Sequence, residues 1–176
     1  MSASCAGYCD PYPGNSSYIC GVCIVERATY KDMVALFHRF CDLPGTDHMR
    51  LRFMKVLGNF YWYPEKDFDI HNHLRVSNIP QIDDIHDCFQ LMGQETLNPP
   101  APHLSPWEVI LIEKYQDDKC LMFIKFNHCL GDGIALQYFI SHTSTVPPNI
   151  IQKFQKRSIK REILSYLCAP VLLLQQ

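Results

Sequence analysis

The chain lacks a dominant charge: 16 Lys and Arg stand against 18 Asp and Glu, for a net charge of −2 and an isoelectric point near 6.4. No whole-molecule field draws polyanions, so a nucleic-acid partner is not expected and any basic surface has to be local. The opening stretch from Met1 to Asn15 has neither a basic flank nor a long apolar segment, the two marks of a secretory signal, and an intracellular protein is expected. An apolar run long enough to cross a bilayer is also missing. The best candidate, Ile163 to Leu174, is shorter than the roughly 20 residues a span requires and contains Pro170. Nine cysteines cannot all be used by a closed disulfide set, and in a reducing compartment most stay as thiols. Cys5, Cys9, Cys20 and Cys23 form a C-x3-C and a C-x2-C pair that could in principle hold zinc. Against that, Cys20 to Val25 reads as a strand and no second tightly spaced pair follows, so no metal is expected.

What is present suffices for one core: 176 residues, 47% of them hydrophobic. Residues 1–18 read as a flexible leader, 19–145 as one globular lobe and 146–176 as a basic, then apolar, tail. Apolar residues from Tyr30 to Cys41 recur at helical steps, with Thr29 as cap and Pro44-Gly45 as stop. Strand material around Leu51 to Trp62 breaks at Gly58-Asn59, as a hairpin does. Asp69, His71 and His73 alternate, which in an extended strand puts all three on one face. A second helix opens at Asp83-Asp84 with carboxylates at its positive end and runs to Gly93 or slightly beyond. Four prolines between Asn98 and Pro106 make a rigid connector to Trp107. From there Val109 to Phe126 reads as an antiparallel hairpin. The fold class is α/β (α+β), a mixed sheet flanked by helices.

The chemistry converges on Cys120 to Ile140. A short run rich in branched and aromatic residues, Leu121 to Phe126, favours a buried strand. It ends at Asn127-His128, and Gly131-Asp132-Gly133 then turns the chain before a helix resumes with Ile134, Ala135, Tyr138 and Phe139 on one face. An imidazole where a strand leaves the core has rigid support behind it and open space in front, the geometry of a general base. His128 is the candidate. Asp132 could orient it or lock the turn; the bland alternative is that His128 only holds the loop.

The stretch Asn127-His128-Cys129-Leu130-Gly131-Asp132-Gly133 resembles the His-His-x-x-x-Asp-Gly signature of the wax ester synthase/diacylglycerol acyltransferase family. Ser105-Pro106-Trp107-Glu108 is similar to that family's Pro-Leu-Trp-Glu strand entry, and Asp67 to Arg75 to its Phe-Asp-x-x-x-His stretch. Two departures stand out: Asn127 replaces the first histidine, and Ser105 occupies the position of a proline. The resemblance implies the N-terminal half of a two-lobed fold, related to chloramphenicol acetyltransferase and condensation domains, whose second motif histidine is the base.

It further implies acyl transfer from acyl-CoA to a fatty alcohol or diacylglycerol, giving wax ester or triacylglycerol. Acyl-CoA is then a co-substrate, and no cofactor is needed. Asp132 would hold the loop, Gly133 would leave room for substrate, and His73, Pro106 and Trp107 would line the site or support it. An ordinary imidazole is largely neutral at pH 7 and can accept the hydroxyl proton, so Cys129 need not act as a nucleophile. The tail, with Lys153, Lys156, Arg157, Lys160 and Arg161 ahead of its apolar run, is expected to lie on a membrane surface or to pack on protein. The expected location is peripheral to the endoplasmic reticulum or plasma membrane. The family's second lobe is not among these residues, so little turnover is expected of them alone, and a non-catalytic half that binds lipid, CoA or a partner chain is the competing expectation.

Overall fold

The computed structural model describes residues 17–57, 59–79, 81–116, 118–131, 138, 141 and 142. Nearly all of the leader, Asp132, Gly133 and the tail lie outside the described residues, as does most of the expected helix after the motif. β5 (Trp107–Tyr115) and β6 (Lys119–Asn127) form the centre, pairing antiparallel across a tight turn. β1 (Tyr18–Glu26) lies antiparallel on the outer side of β6, and the short β4 (Leu74–Val76) lies parallel to β5. The sheet order is therefore β1-β6-β5-β4, a mixed sheet.

Alternation along β5 and β6 divides their side chains between two cores. Trp107, Val109, Leu111, Met122, Ile124 and Phe126 face Met33, Phe37 and Phe40 of α1 (Tyr30–Cys41). Ile110, Ile112, Leu121 and Phe123 face Cys88 and Leu91 of α2 (Ile85–Thr96). Helices cover both faces of the two central strands, which is why the sequence there reads as a continuous apolar run rather than as an alternating one.

α1 begins where the sequence places it. Thr29 accepts from the Asp32 amide, and the Asp32 carboxylate accepts from the Thr29 amide at 2.8 Å, a reciprocal cap at the positive end of the helix. Thr29→Ala should lower stability by about 1 kcal/mol in a urea titration. The hydroxyl and amide of Thr29 hold the Asp32 carboxyl below its usual value. The contribution of this contact is thus full above the carboxyl's unfolded value and fades as pH falls through its folded one. The acid-side slope of stability should be shallower in the variant.

The expected strand through Asp69, His71 and His73 is not there. The Asp69 side chain accepts from the His71 amide at 3.0 Å and caps a short 3-10 turn, Ile70–Asn72, so the strand starts only at Leu74. A short acidic side chain that bonds its own backbone two residues on competes with the ladder, and here it wins. The three side chains consequently share no face. His71 is exposed and lies 2.8 Å from the Tyr30 hydroxyl, whereas His73 is fully buried. The expected hairpin does form, as β2 (Leu51–Val56) and β3 (Asn59–Pro64), but as a separate two-stranded sheet.

Candidate active site

β6 carries the chain out of the core beside the start of β5, with Phe126 opposite Trp107. Asn127 fixes the exit. Its amide donates to the Pro106 carbonyl at 2.8 Å, its side-chain oxygen accepts from the Cys129 amide at 3.0 Å, and its carbonyl accepts from the Leu130 amide at 2.9 Å. The half-buried Tyr18 hydroxyl also bonds the Asn127 side chain; burial pushes that phenol's pKa up, and the hydrogen bond opposes the rise. Asn127 is itself buried, so the residue replacing the first motif histidine is spent on the turn.

His128 follows as the first residue of that turn. It is half-buried, and its amide donates to the Ser17 carbonyl at 2.7 Å. The backbone on both sides of the ring is thereby pinned to β1 and to the Pro106 connector. This is the rigid backing a proton acceptor needs.

Behind this exit lies a second constellation that the residue pattern did not reveal. The His73 ring stacks on Trp107 at 4.4 Å and on Phe68 at 5.2 Å. Its Nδ1 is 3.0 Å from the Trp107 carbonyl and its Nε2 is 3.1 Å from both oxygens of buried Glu65. The Ser105 amide donates to the same carboxylate. A proline at that position would have no N–H to give, so the departure at Ser105 supplies a bond here. Trp107 donates from its indole to the Met49 carbonyl at 2.7 Å and stacks on Phe37 of α1. Pro106 is buried between these partners, and its carbonyl holds Asn127. His73, Pro106 and Trp107 thus form the wall on which the β6 exit rests.

On the opposite face of the sheet, buried Lys125 reaches Glu108 at 2.6 Å and the Asn98 carbonyl at 2.7 Å. Arg75 joins Glu108 to Glu95, each at 2.7 Å. Arg75, Glu95, Glu108 and Leu104 line a cavity of about 300 Å³. A single lysine inside the apolar run of β6 was the available signal for this network. Burial opposes ionisation of Glu108, but the hydrogen bonds from Lys125 and Arg75 outweigh it and keep its carboxyl below the usual value. The stabilisation is therefore present above the unfolded carboxylate value and is lost as pH falls through the folded one. Acid titration of Glu108→Gln should show a flatter fall in stability below about pH 5 than the parent.

Metal ligation finds no support in the arrangement of the described residues. Cys20 and Cys23 sit three positions apart on β1 and so point to opposite faces of the sheet. Burial pushes the Cys20 thiol up to about 11. Cys5 and Cys9 lie outside the described residues. Among the described residues no three His, Cys, Asp or Glu side chains come together as a metal site, and no helix is long and apolar enough to cross a membrane.

A mixed sheet with helices on both faces is an arrangement shared with solved structures of condensation domains. A starter condensation domain of rhizomide synthetase superposes with a TM-score of 0.62 at 14% identity, over 84% of this chain and 37% of that one. The wax ester synthase/diacylglycerol acyltransferase of Marinobacter aquaeolei gives a TM-score of 0.49 at 20% identity, over 69% and 32%. In sequence, a Mycobacterium bovis protein named as a diacylglycerol O-acyltransferase is 24% identical over 98 residues, 56% of this chain and 19% of its own length.

The fold is of the condensation-domain, chloramphenicol acetyltransferase-like class, and it covers about a third of those chains. The wax ester synthase/diacylglycerol acyltransferase catalytic domain matches residues 30–161, and the chain belongs to that family. It spans about a fifth of the length of the curated relatives it matches.

Proposed function

We propose that this chain is the histidine-bearing lobe of an O-acyltransferase that moves a fatty acyl group from acyl-CoA to a fatty alcohol or diacylglycerol. The observation that carries the reading is the placement of His128, half-buried at the end of a strand that is buried from Cys120 to Asn127, and held by its own backbone and that of Asn127. The ring takes the acceptor's hydroxyl proton as the oxygen attacks the thioester carbonyl. The tetrahedral intermediate then collapses, expels the CoA thiolate and leaves the ester, and the imidazolium returns its proton to the sulfur. Neither an acyl-enzyme nor a metal enters this scheme. General-base assistance of this kind contributes about 10²- to 10⁴-fold; positioning and exclusion of water must supply the rest.

Asp132 and Gly133, assigned to the loop and to substrate clearance, lie outside the described residues and enter this reading through the family resemblance. The rhizomide condensation domain was solved in complex with C8-CoA, a fact about that protein that makes acyl-CoA the first donor to try. The test is to supply the purified chain with labelled long-chain acyl-CoA and either a long-chain alcohol or diacylglycerol, and to resolve the products. Ester formation supports the reading. Acyl-CoA bound with no ester formed would favour the non-catalytic, binding half-domain instead.

A further inference from the structure

A buried ion-pair network normally uses up the polar edges of its members, and the one around Arg75 does not. The guanidinium donates from Nε to Glu108 Oε1 and from Nη2 to Glu95 Oε2, each at 2.7 Å. Two carboxylates thus fix it in place, and both of them also hold buried Lys125. The remaining nitrogen, Nη1, and the second oxygen of Glu95, Oε1, make no hydrogen bond among the described residues. Arg75 stays 39% exposed, so that free edge is within reach of a ligand.

Both residues line the cavity of about 300 Å³, together with Asn72, whose carboxamide is likewise without a hydrogen bond among the described residues. Pro99, Pro100 and Leu104 supply a rigid, apolar side to the same cavity. A few placed polar groups against apolar walls is the make-up of a small-molecule site. The charges narrow the choice of ligand. Arg75 and Lys125 balance Glu95 and Glu108, so neither a phosphate nor an ammonium group finds a net opposite charge here. An uncharged chain carrying carbonyls, N–H groups and methylenes matches all three kinds of wall.

The cavity also lies at the end of the sheet that carries His128. Glu108 sits opposite Lys125 in the β5–β6 register, next to the Trp107–Phe126 pair at which β6 leaves the core. The prolines and Leu104 belong to the connector that ends at Pro106, whose carbonyl holds the Asn127 amide.

We propose that this cavity is the subsite for the pantetheine arm of the acyl-CoA donor, an aliphatic chain strung with secondary amides and a hydroxyl. Arg75 Nη1 donates to a carbonyl of the arm, Glu95 Oε1 accepts from an N–H or the hydroxyl, and the prolines with Leu104 pack on its methylenes. The choice of CoA rests on the acyltransferase reading, but binding of the arm is measured without turnover.

The full chain is titrated in a calorimeter with pantetheine, adenosine and inorganic pyrophosphate as separate probes. Pantetheine should bind. Arg75→Lys keeps a cation between the carboxylates and removes the second donor edge, and should weaken pantetheine binding roughly tenfold. Ala101→Trp fills the cavity from an exposed position on its wall and leaves the ion pairs intact, so binding should be lost while the thermal midpoint holds.

Pantetheine not bound by the parent, or bound unchanged by either variant that melts where the parent melts, would overturn the proposal whatever the ester assay gives. So would adenosine or pyrophosphate, and not pantetheine, losing its binding in Ala101→Trp. Pantetheine bound as expected with no ester formed would instead remove the catalytic reading and leave the subsite standing.

Discussion

Glu65→Ala should destabilise the protein by about 3–5 kcal/mol, a large share of the 5–15 kcal/mol or so that holds a typical domain folded. The reason is that both ring nitrogens of His73 are held. Nδ1 faces the Trp107 carbonyl, which can only accept, so that nitrogen carries a hydrogen. Nε2 faces both carboxylate oxygens of Glu65 at 3.1 Å. Ring and carboxylate are both buried, and the Ser105 amide donates to the same group.

Truncating Glu65 leaves a buried imidazole edge and a buried N–H without their acceptor, in a place water does not reach, and opens a void beneath Trp107. Glu65→Gln keeps an acceptor and a donor in place and should lose distinctly less. Urea midpoints of the two variants, with His73→Ala and the Glu65/His73 double variant closing the cycle, separate the pair's coupling from simple loss of volume. A loss below about 1 kcal/mol in Glu65→Ala would show that the pair is incidental to the fold.

His128→Ala is expected to lower ester formation by about 10²- to 10⁴-fold, equivalent to roughly 3–5 kcal/mol of barrier, with little change in stability. The two variants should therefore fail in opposite ways. His73 is interior and stacked between two aromatic rings, so changing it or its partner disturbs the wall. His128 is half-buried, and its backbone amide, which alanine retains, donates to the Ser17 carbonyl. A variant that melts where the parent melts yet forms no ester places the loss on the ring itself. Loss of stability matching loss of rate would instead give His128 the role of a loop fastener.

The contrast between the two histidines also marks where the sequence could be read and where it could not. α1 was legible because its apolar steps, its Thr29 cap and its Pro44-Gly45 stop agree. β5 and β6 were legible because short apolar runs flank a polar turn, and the exit at Asn127-His128 follows from the end of the second run. Residues Asp69 to His73 misled because alternation is only one of two local options, and Asp69 chose its own backbone.

The Glu65–His73 contact was invisible for a different reason. In Pro64-Glu65-Lys66-Asp67 the glutamate looks like part of a solvated turn, and only the tertiary approach of Trp107 and Ser105 buries it. Lys125 was half legible. A lone cation inside the apolar run from Leu121 to Phe126 announces a buried partner, but Glu108 comes from the neighbouring strand and Glu95 from α2, and no spacing along the chain names them.

The most direct measurement is the initial rate of ester release from labelled acyl-CoA and its lipid acceptor by His128→Ala, set beside the parent at matched folded fraction. A rate lower by two orders of magnitude or more, with an unchanged urea midpoint, is the predicted result. Ester formed by the variant as fast as by the parent would contradict the assignment of His128 as the base.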